Sequence, residues 1–217
     1  MSATGHSVAP GRFRFVVVVA SLGGLPVLTT VLDGLPAAFP VPVLVISHRP
    51  YRDQDTLAAL LQKRTSLPVR AGTPGLSTWG PGVTVIPGGT QATLTSGGQL
   101  ALERDTGRPS GGGDTLLASV AESARPGHVI AVILSGMLHD GTDGVRPVKR
   151  LGGRVLAQDP ATARAASMPS NAIATGCVDF VLPPHRLATA LIALTMAPGG
   201  ASLLAVPAPH WAGLQAK

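Results

Sequence analysis

The stretch VVVVASLGG, Val16 to Gly24, decides how this sequence folds. Four valines in a row favour a strand that is buried on both faces, as in a parallel sheet covered by helices. The strand leads to Ser21, and the glycines Gly23 and Gly24 behind it predict a sharp turn into a helix. We therefore expect a rigid, buried strand that presents one hydroxyl group at its carboxyl end.

Strand-like and helix-like stretches alternate along the rest of the chain. Strands are predicted at 15–20, 41–47, 129–134, 154–157 and 178–182, and helices at 25–35, 53–65, 113–124, 144–151, 169–174 and 185–194. This alternation predicts an α/β fold with a doubly wound, mostly parallel sheet flanked by helices. The segments GVTVIPGG and ATLTSGGQLALER alternate with period two around Gly97 and Gly98, which predicts a small antiparallel hairpin beside the main sheet.

Length and composition indicate a single domain. The chain has 217 residues, of which 45% are hydrophobic and 13% charged, enough for one sizeable core. We expect this domain at 13–197, between a flexible tail at 1–12 and a loosely ordered one at 198–217. An uncharged stretch at 15–32 superficially resembles a signal peptide or membrane helix. Because Gly23, Gly24 and Pro26 interrupt it, we predict a strand, a turn and a helix, without membrane insertion.

Charge and cysteine content narrow the function classes. The formal net charge is +6, but the basic residues are scattered, which argues against a nucleic-acid site and allows weak attraction to acidic partners. The single cysteine, Cys177, excludes an intramolecular disulfide and a cysteine-based zinc cluster. We expect it to be a small buried residue, in agreement with a reducing compartment such as the cytoplasm.

Three side chains follow strands that should end at one edge of the sheet. Ser21 follows the first strand, His48 closes VPVLVISH, and Asp140 lies in the glycine-rich loop of VILSGMLHDGTDG. Ligand and active sites form at this edge in open α/β sheets. A serine there can attack a carbonyl if a histidine removes its proton and an aspartate orients that histidine.

Other interpretations remain open at this point. Ser21 could be a helix N-cap or part of a phosphate-binding loop, although the stretch lacks the P-loop lysine and the G-x-G-x-x-G pattern. His48 could be a structural residue at the end of its strand. His139 and Asp143, in the same loop as Asp140, are alternative candidates for the base and the acid.

Several ordered motifs together resemble the catalytic domain of the chemotaxis protein-glutamate methylesterases, the CheB family. The resemblance runs from about Phe15 to Leu194, and its motifs are ASLGG, ISHRP, VIPGG, VILSGMLHDGTDG, GGRVLAQDPATA and SMPSNAI. It implies that Ser21, His48 and Asp140 form a Ser–His–Asp triad. The backbone N–H groups of Met137 and Leu22 are then candidate donors to the oxyanion.

The resemblance implies a carboxylic ester hydrolase that acts in chemotaxis signal transduction. The substrate is a glutamate γ-methyl ester on a bacterial chemoreceptor, a related activity is glutamine deamidation, and the site of action is the cytoplasm. No metal or organic cofactor is implied. Two rival hypotheses remain: a methylesterase-like module that binds a helical partner without turnover, and a serine hydrolase that acts on another ester.

The sequence departs from the family pattern in several places. Leu22 follows the serine where a hydroxyl residue is common, Ser47 precedes the histidine where glutamine is common, and RPSGGGD carries extra glycines at 111–113. These changes bear on substrate choice. Family members typically carry a receiver domain, whereas about a dozen residues precede the first strand here. We therefore expect no phosphorylation switch in this chain, and control by a separate regulatory chain, by expression level or by receptor conformation.

Overall fold

The computed structural model describes residues 13–52, 54–105, 111–124 and 127–206. In chain order the strands are β1 Phe15–Ala20, β2 Val43–Ser47, β3 Val69–Ala71, β4 Val83–Val85, β5 Thr90–Leu94, β6 Leu100–Arg104, β7 Val129–Ile133, β8 Arg154–Gln158 and β9 Phe180–Leu182. Seven of them form a parallel sheet in the order β3-β4-β2-β1-β7-β8-β9. The remaining pair, β5 and β6, is antiparallel.

Helices cover both faces of the sheet. They are α1 Gly24–Asp33, α2 Leu57–Gln62, α3 Gly112–Ser123, α4 Val145–Arg150, α5 Ser167–Ala174, α6 Pro184–Thr195 and α7 Gly200–Leu203, with a 3-10 turn at Pro160–Thr162. Helices α1 and α6 bury their apolar faces in one core. Helices α3, α4 and α5 and the β5–β6 hairpin enclose the other core.

Strand β1 lies in the middle of the sheet and joins the two cores. Val16 and Val18 point into the core of α1 and α6, whereas Val17 and Val19 point into the core of α3, α4 and α5. Each of the four is at most 1% exposed. Burying a valine side chain stabilises a fold by about 1.5–3 kcal/mol, so this strand is firmly held from both sides.

The predicted fold class is confirmed, and the first strand has the predicted bounds. One prediction about the middle of the chain was wrong, because β4, within GVTVIPGG, joins the main sheet in parallel instead of the antiparallel pair. Strand β3 was not predicted. Its residues Val69–Ala71 are short and largely exposed, so they leave no apolar run in the sequence.

The ends of the chain differ in what the structure describes. Residues 200–203, within the segment expected to be loosely ordered, form helix α7. Residues 1–12 and 207–217 lie outside the described residues.

The uncharged stretch 15–32 forms β1, a turn and α1, as predicted. Among the described residues, no helix combines the length and apolar character needed to span a membrane.

Candidate active site

The carboxyl ends of β1, β2 and β7 bring the candidate residues to one edge. In the β1–β2 register Ala20 lies opposite Ser47, so the following residues, Ser21 and His48, leave the sheet side by side. The His48 N–H donates to the Ala20 carbonyl at 3.1 Å. On the other side of β1, the Ser21 N–H donates to the Ser135 carbonyl at 3.0 Å. The strand order reverses at β1, where ligand sites of open α/β sheets form.

The turn that carries Ser21 requires its glycines. Gly23 has φ of 76°, a left-handed conformation that side chains disfavour, and a Cβ there would lie 2.6 Å from Cβ of Arg164. Gly136, in the loop after β7, packs directly against the serine, since a Cβ on it would lie 2.8 Å from Cβ of Ser21. The hydroxyl-bearing residue is therefore held between the β1 turn and the loop after β7.

His48 and Asp140 form a hydrogen-bonded pair. Nε2 of His48 lies 2.9 Å from Oδ2 of Asp140, whose side chain is 1% exposed, against 27% for the histidine. The hydrogen bond with Asp140 is the main cause that raises the pKa of His48. Burial raises the pKa of Asp140, but the hydrogen bond with His48 and bonds from backbone N–H groups lower it below its usual range. The pair thus favours an ionised carboxylate beside a more basic imidazole.

The first turn of α3 supports the Asp140 carboxylate. The Gly113 N–H donates to Oδ2 at 2.9 Å and the Asp114 N–H donates to Oδ1 at 3.1 Å. A carboxylate is favoured at this position, because the unpaired N–H groups of a helix N-terminus carry partial positive charge. Gly113 also makes room for it: a Cβ there would lie 2.7 Å from Oδ2 of Asp140 and 2.5 Å from Cγ1 of Val19.

Ser21 and His48 are neighbours, but their side chains are not hydrogen-bonded to each other here. Among the described residues, Oγ of Ser21 has no hydrogen-bond partner. Such bonds are often long in ligand-free enzymes and shorten when substrate binds. Because Nε2 of His48 is engaged by Asp140, Nδ1 is the ring nitrogen left for the serine. In serine proteases the two ring nitrogens have the opposite roles.

The two proposed oxyanion donors lie in different segments, Met137 in the loop after β7 and Leu22 in the turn after β1. Within the described part of the chain, the N–H groups of Met137 and Leu22 donate to no protein acceptor, and their side chains are 53% and 49% exposed. Leu138 has φ of 66°, the one non-glycine residue with positive φ among those described. Nδ2 of Asn171 donates to its carbonyl at 2.8 Å. A strained residue beside a site is a common sign of a backbone held in place for function.

A cavity of about 510 Å³ opens on the far side of His48. Its walls are the end of β2, the segment 48–51, the segment around Pro87 to Thr90, and Asp105 and Gly112. Ser21 is not among its lining residues, so the cavity lies beside His48 and not around the serine. Its volume lies within the ordinary range for small-ligand pockets.

One wall of this cavity is fixed by the ion pair between Arg49 and Asp55. Nη2 of Arg49 lies 2.5 Å from Oδ2 of Asp55 and donates to the Ile86 carbonyl at 2.9 Å. The same carboxylate accepts the N–H of Gly88 at 2.8 Å. Sequence reasoning included Arg49 in the ISHRP motif but assigned it no role, and Asp55 gave no sequence signal.

The alternative base and acid lie elsewhere. His139 is exposed, and Asp143 is exposed and lies 3.8 Å from Nε of Arg146. Among the described residues, no ion pair joins the side chain of either residue to His48 or Asp140. Of the three loop residues, the structure brings Asp140 to His48. Cys177, elsewhere in the fold, is buried as expected.

Comparisons with known proteins find similar sequences over most of the chain. The family model of the CheB methylesterases matches residues 16–191 of this chain. The chain is 37% identical over 190 residues to protein-glutamate methylesterase/protein-glutamine glutaminase 3 of Anaeromyxobacter dehalogenans, covering 83% of this chain and 53% of the relative. It is 34% identical over 187 residues to protein-glutamate methylesterase FrzG of Myxococcus xanthus, covering 84% of this chain and 55% of the relative. The chain thus spans about half the length of these relatives.

A solved structure of a CheB methylesterase has the same fold. The catalytic domain of the Thermotoga maritima CheB methylesterase superimposes with a TM-score of 0.76 and 34% sequence identity. The match covers 84% of this chain and 99% of that domain. The match therefore extends over nearly the whole of that solved domain.

Proposed function

The chain belongs to the CheB methylesterase family, and from this we propose that it hydrolyses glutamate γ-methyl esters on bacterial chemoreceptors. The observation that carries the proposal is the hydrogen bond between His48 and the buried Asp140, next to Ser21 at the switch point of the sheet. Glutamine deamidation is a second activity, because the Anaeromyxobacter relative is named for both reactions.

The mechanism follows from the roles that the geometry gives to each group. Nδ1 of His48 takes the proton of Ser21, and the alkoxide attacks the ester carbonyl. The N–H groups of Met137 and Leu22 donate to the resulting oxyanion. His48 then returns the proton to the leaving methoxide, which departs as methanol. Water, activated by the same histidine, hydrolyses the glutamyl-serine intermediate and restores the enzyme.

Asp140 acts in this mechanism by orienting the imidazole and stabilising its cation. Its low pKa keeps the carboxylate ionised throughout the cycle, so that it can stabilise the positive charge that develops on His48. All these steps use side chains and backbone N–H groups of this chain together with water, without a cofactor.

The partner, the location and the control of the enzyme are part of the proposal. The partner is a methylated chemoreceptor or a similar helical signalling protein, and the site of action is the cytoplasm. The single reduced cysteine agrees with that compartment. Control by a separate regulatory chain stays a prediction.

The test is release of methanol from a methylated receptor fragment. The wild-type protein should release methanol, and Ser21→Ala should reduce the rate by at least about 10³-fold, as loss of a triad nucleophile does. Binding of the fragment without methanol release would support a non-catalytic module. Hydrolysis of a small ester such as p-nitrophenyl acetate, but not of the receptor ester, would support a hydrolase of different specificity.

Retention of near-wild-type methanol release by Ser21→Ala would contradict the nucleophile assignment. A matched control is Ser170→Ala, since Ser170 is an exposed serine on α5 outside the site. Its rate should equal that of the wild type.

A further inference from the structure

The loop between β7 and α4 carries both Asp140 and the Met137 N–H, so its position decides the geometry of the site. Its near end is fixed by the start of α5 and the residues before it: the Gly136 N–H donates to the Ala165 carbonyl at 2.9 Å, and the N–H of Met168, in α5, donates to the Gly136 carbonyl at 3.0 Å. The far end, at Gly144, has a different anchor.

That anchor is the side chain of Asp114 in the first turn of α3. Its Oδ1 accepts the N–H of Gly144 at 2.6 Å. The two segments are in close contact, since a Cβ on Gly144 would lie 2.8 Å from Cα of Asp114. The carboxylate therefore ties the end of the loop to the start of α3.

The same residue supports the catalytic aspartate directly through its main chain. The Asp114 N–H donates to Oδ1 of Asp140, while Oδ2 of Asp140 accepts from Gly113 and His48. Asp114 thus holds Asp140 with its backbone and holds the loop that carries Asp140 with its side chain. Replacement of Asp114 by alanine removes the side-chain contact with Gly144 and leaves the backbone N–H that donates to Asp140 in place.

We propose that Asp114 is a positioning residue for the reaction, whose side chain fixes the loop so that Asp140 meets His48. The proposal rests on the function proposed above. It assigns to Asp114 no contact with substrate; its effect passes through Gly144 and Asp140.

The positioning effect of Asp114 can be measured as a change in the pKa of His48, because the surrounding carboxylates determine that pKa. The carboxylates that face His48 are Asp140, Asp105 and Asp114, and all three raise its pKa, with the Asp140 hydrogen bond as the main cause. Asp114 itself faces Asp140 and Asp143, and burial together with these charges raises its pKa. A loop that moves Asp140 away from His48 removes the main cause, so the pKa of His48 should fall.

The experiment compares Asp114→Ala with Asp114→Asn in the full chain. Asparagine keeps an oxygen that can accept from Gly144, so kcat should stay within about threefold of wild type. Alanine leaves that N–H without its acceptor, so kcat should fall by about tenfold or more while KM changes little. NMR titration of the imidazole should give a lower pKa of His48 in Asp114→Ala than in Asp114→Asn.

The matched control is Ser119→Ala, on the same helix. Oγ of Ser119 also accepts a backbone N–H, that of Leu94 at 3.1 Å, but the bond leads to the β5–β6 hairpin and not to the site. This variant should lower the melting temperature without changing kcat or the pKa of His48. If Asp114→Ala behaves in the same way, Asp114 has only a structural role and the proposal is wrong.

Two further outcomes are decisive. If Asp114→Asn is as impaired as Asp114→Ala, the acceptor role is wrong. If Asp114→Ala does not fold, Asp114→Glu replaces it, because one extra methylene displaces the acceptor in this tight contact; wild-type kcat and pKa there would overturn the proposal. The His48 titration needs no substrate, so it tests this proposal even if the wild type releases no methanol.

Discussion

Nε2 of His48 donates to a carboxylate oxygen of Asp140 that is almost completely buried, at a distance of 2.9 Å. This single contact selects Asp140 over its neighbour Asp143 as the partner of the base. Because Nε2 is engaged, Nδ1 is the ring nitrogen that remains for a bond to Ser21. The relationship makes the roles of the candidate residues separable by mutation.

We expect His48→Ala and His139→Ala to differ sharply in ester hydrolysis. His48 is hydrogen-bonded to Asp140 at the sheet edge, whereas the side chain of His139 is exposed. Loss of the base should reduce kcat by at least about 10³-fold, while His139→Ala should stay within about threefold of wild type. Steady-state rates of both purified variants decide this. The opposite ranking would make His139 the base.

The pH profile should reflect the raised pKa of His48. The base must be neutral to accept the serine proton, so kcat/KM should rise with pH through a midpoint above the ordinary histidine value of 6.5. In Asp140→Asn the carboxylate charge that favours the imidazolium is lost, so the midpoint should move to lower pH. The plateau should fall by about 10²–10⁴-fold.

The measurement for this prediction is kcat/KM between pH 5 and 9 for both proteins. Asp143→Asn is the control, because Asp143 lies in the same loop but is exposed and pairs with Arg146. Its profile should coincide with that of the wild type. A midpoint for Asp140→Asn at or above that of the wild type would show that Asp140 does not stabilise the imidazolium.

Asn171 should matter for kcat through the backbone that it holds. Its amide donates to the carbonyl of Leu138, whose φ of 66° is unfavourable for a leucine. In Asn171→Ala the loop can relax and move the adjacent Met137 N–H, so kcat should fall by about tenfold with little change in KM. Adding Leu138→Gly, which tolerates positive φ, should restore part of the loss.

Kinetics of the single and double variants test this prediction, with Ser170→Ala as a neighbouring control. If Asn171→Ala changes KM alone, the residue affects substrate binding and not the oxyanion. If adding Leu138→Gly to Asn171→Ala lowers the rate further, Asn171 does not act by holding Leu138 in its left-handed conformation.

Two adjacent glycines should respond differently to alanine. A Cβ at Gly113 would lie within 2.7 Å of both Val19 and Asp140, so Gly113→Ala should displace the carboxylate and lower kcat by at least about tenfold. A Cβ at Gly112 would meet only Cδ1 of Ile46 at 3.2 Å, the end of a flexible side chain. Gly112→Ala should therefore retain most activity; equal losses in both would contradict this explanation.

Much of the site was predictable from the sequence because it depends on strand ends. The valine run gave β1 with its bounds, and parallel neighbours place their following residues side by side, which brought Ser21 and His48 together. The role of Asp140 was predictable only from the family motif, since nothing in HDGTD separates it from Asp143.

The contacts that position these residues were not predictable. The hydrogen bond from Gly144 to Asp114 joins residues 30 apart, and the bond from Asn171 to Leu138 joins residues 33 apart. Such contacts depend on how helices and loops pack, and no local pattern records them. Strand β3 was missed because it has only three residues, Val69–Ala71, and is largely exposed.

The central position of β1 has a consequence for how the enzyme loses activity. Amide protons of a strand that is buried on both faces exchange with solvent only when the whole domain opens, whereas exposed loops open locally at much lower free energy. Ser21, the proposed nucleophile, is therefore attached to the part of the chain that opens last. Asp140 and the Met137 N–H lie on a loop in which Met137 and Leu138 are exposed. Thermal inactivation should accordingly begin with local opening of this loop, in molecules whose sheet is still intact.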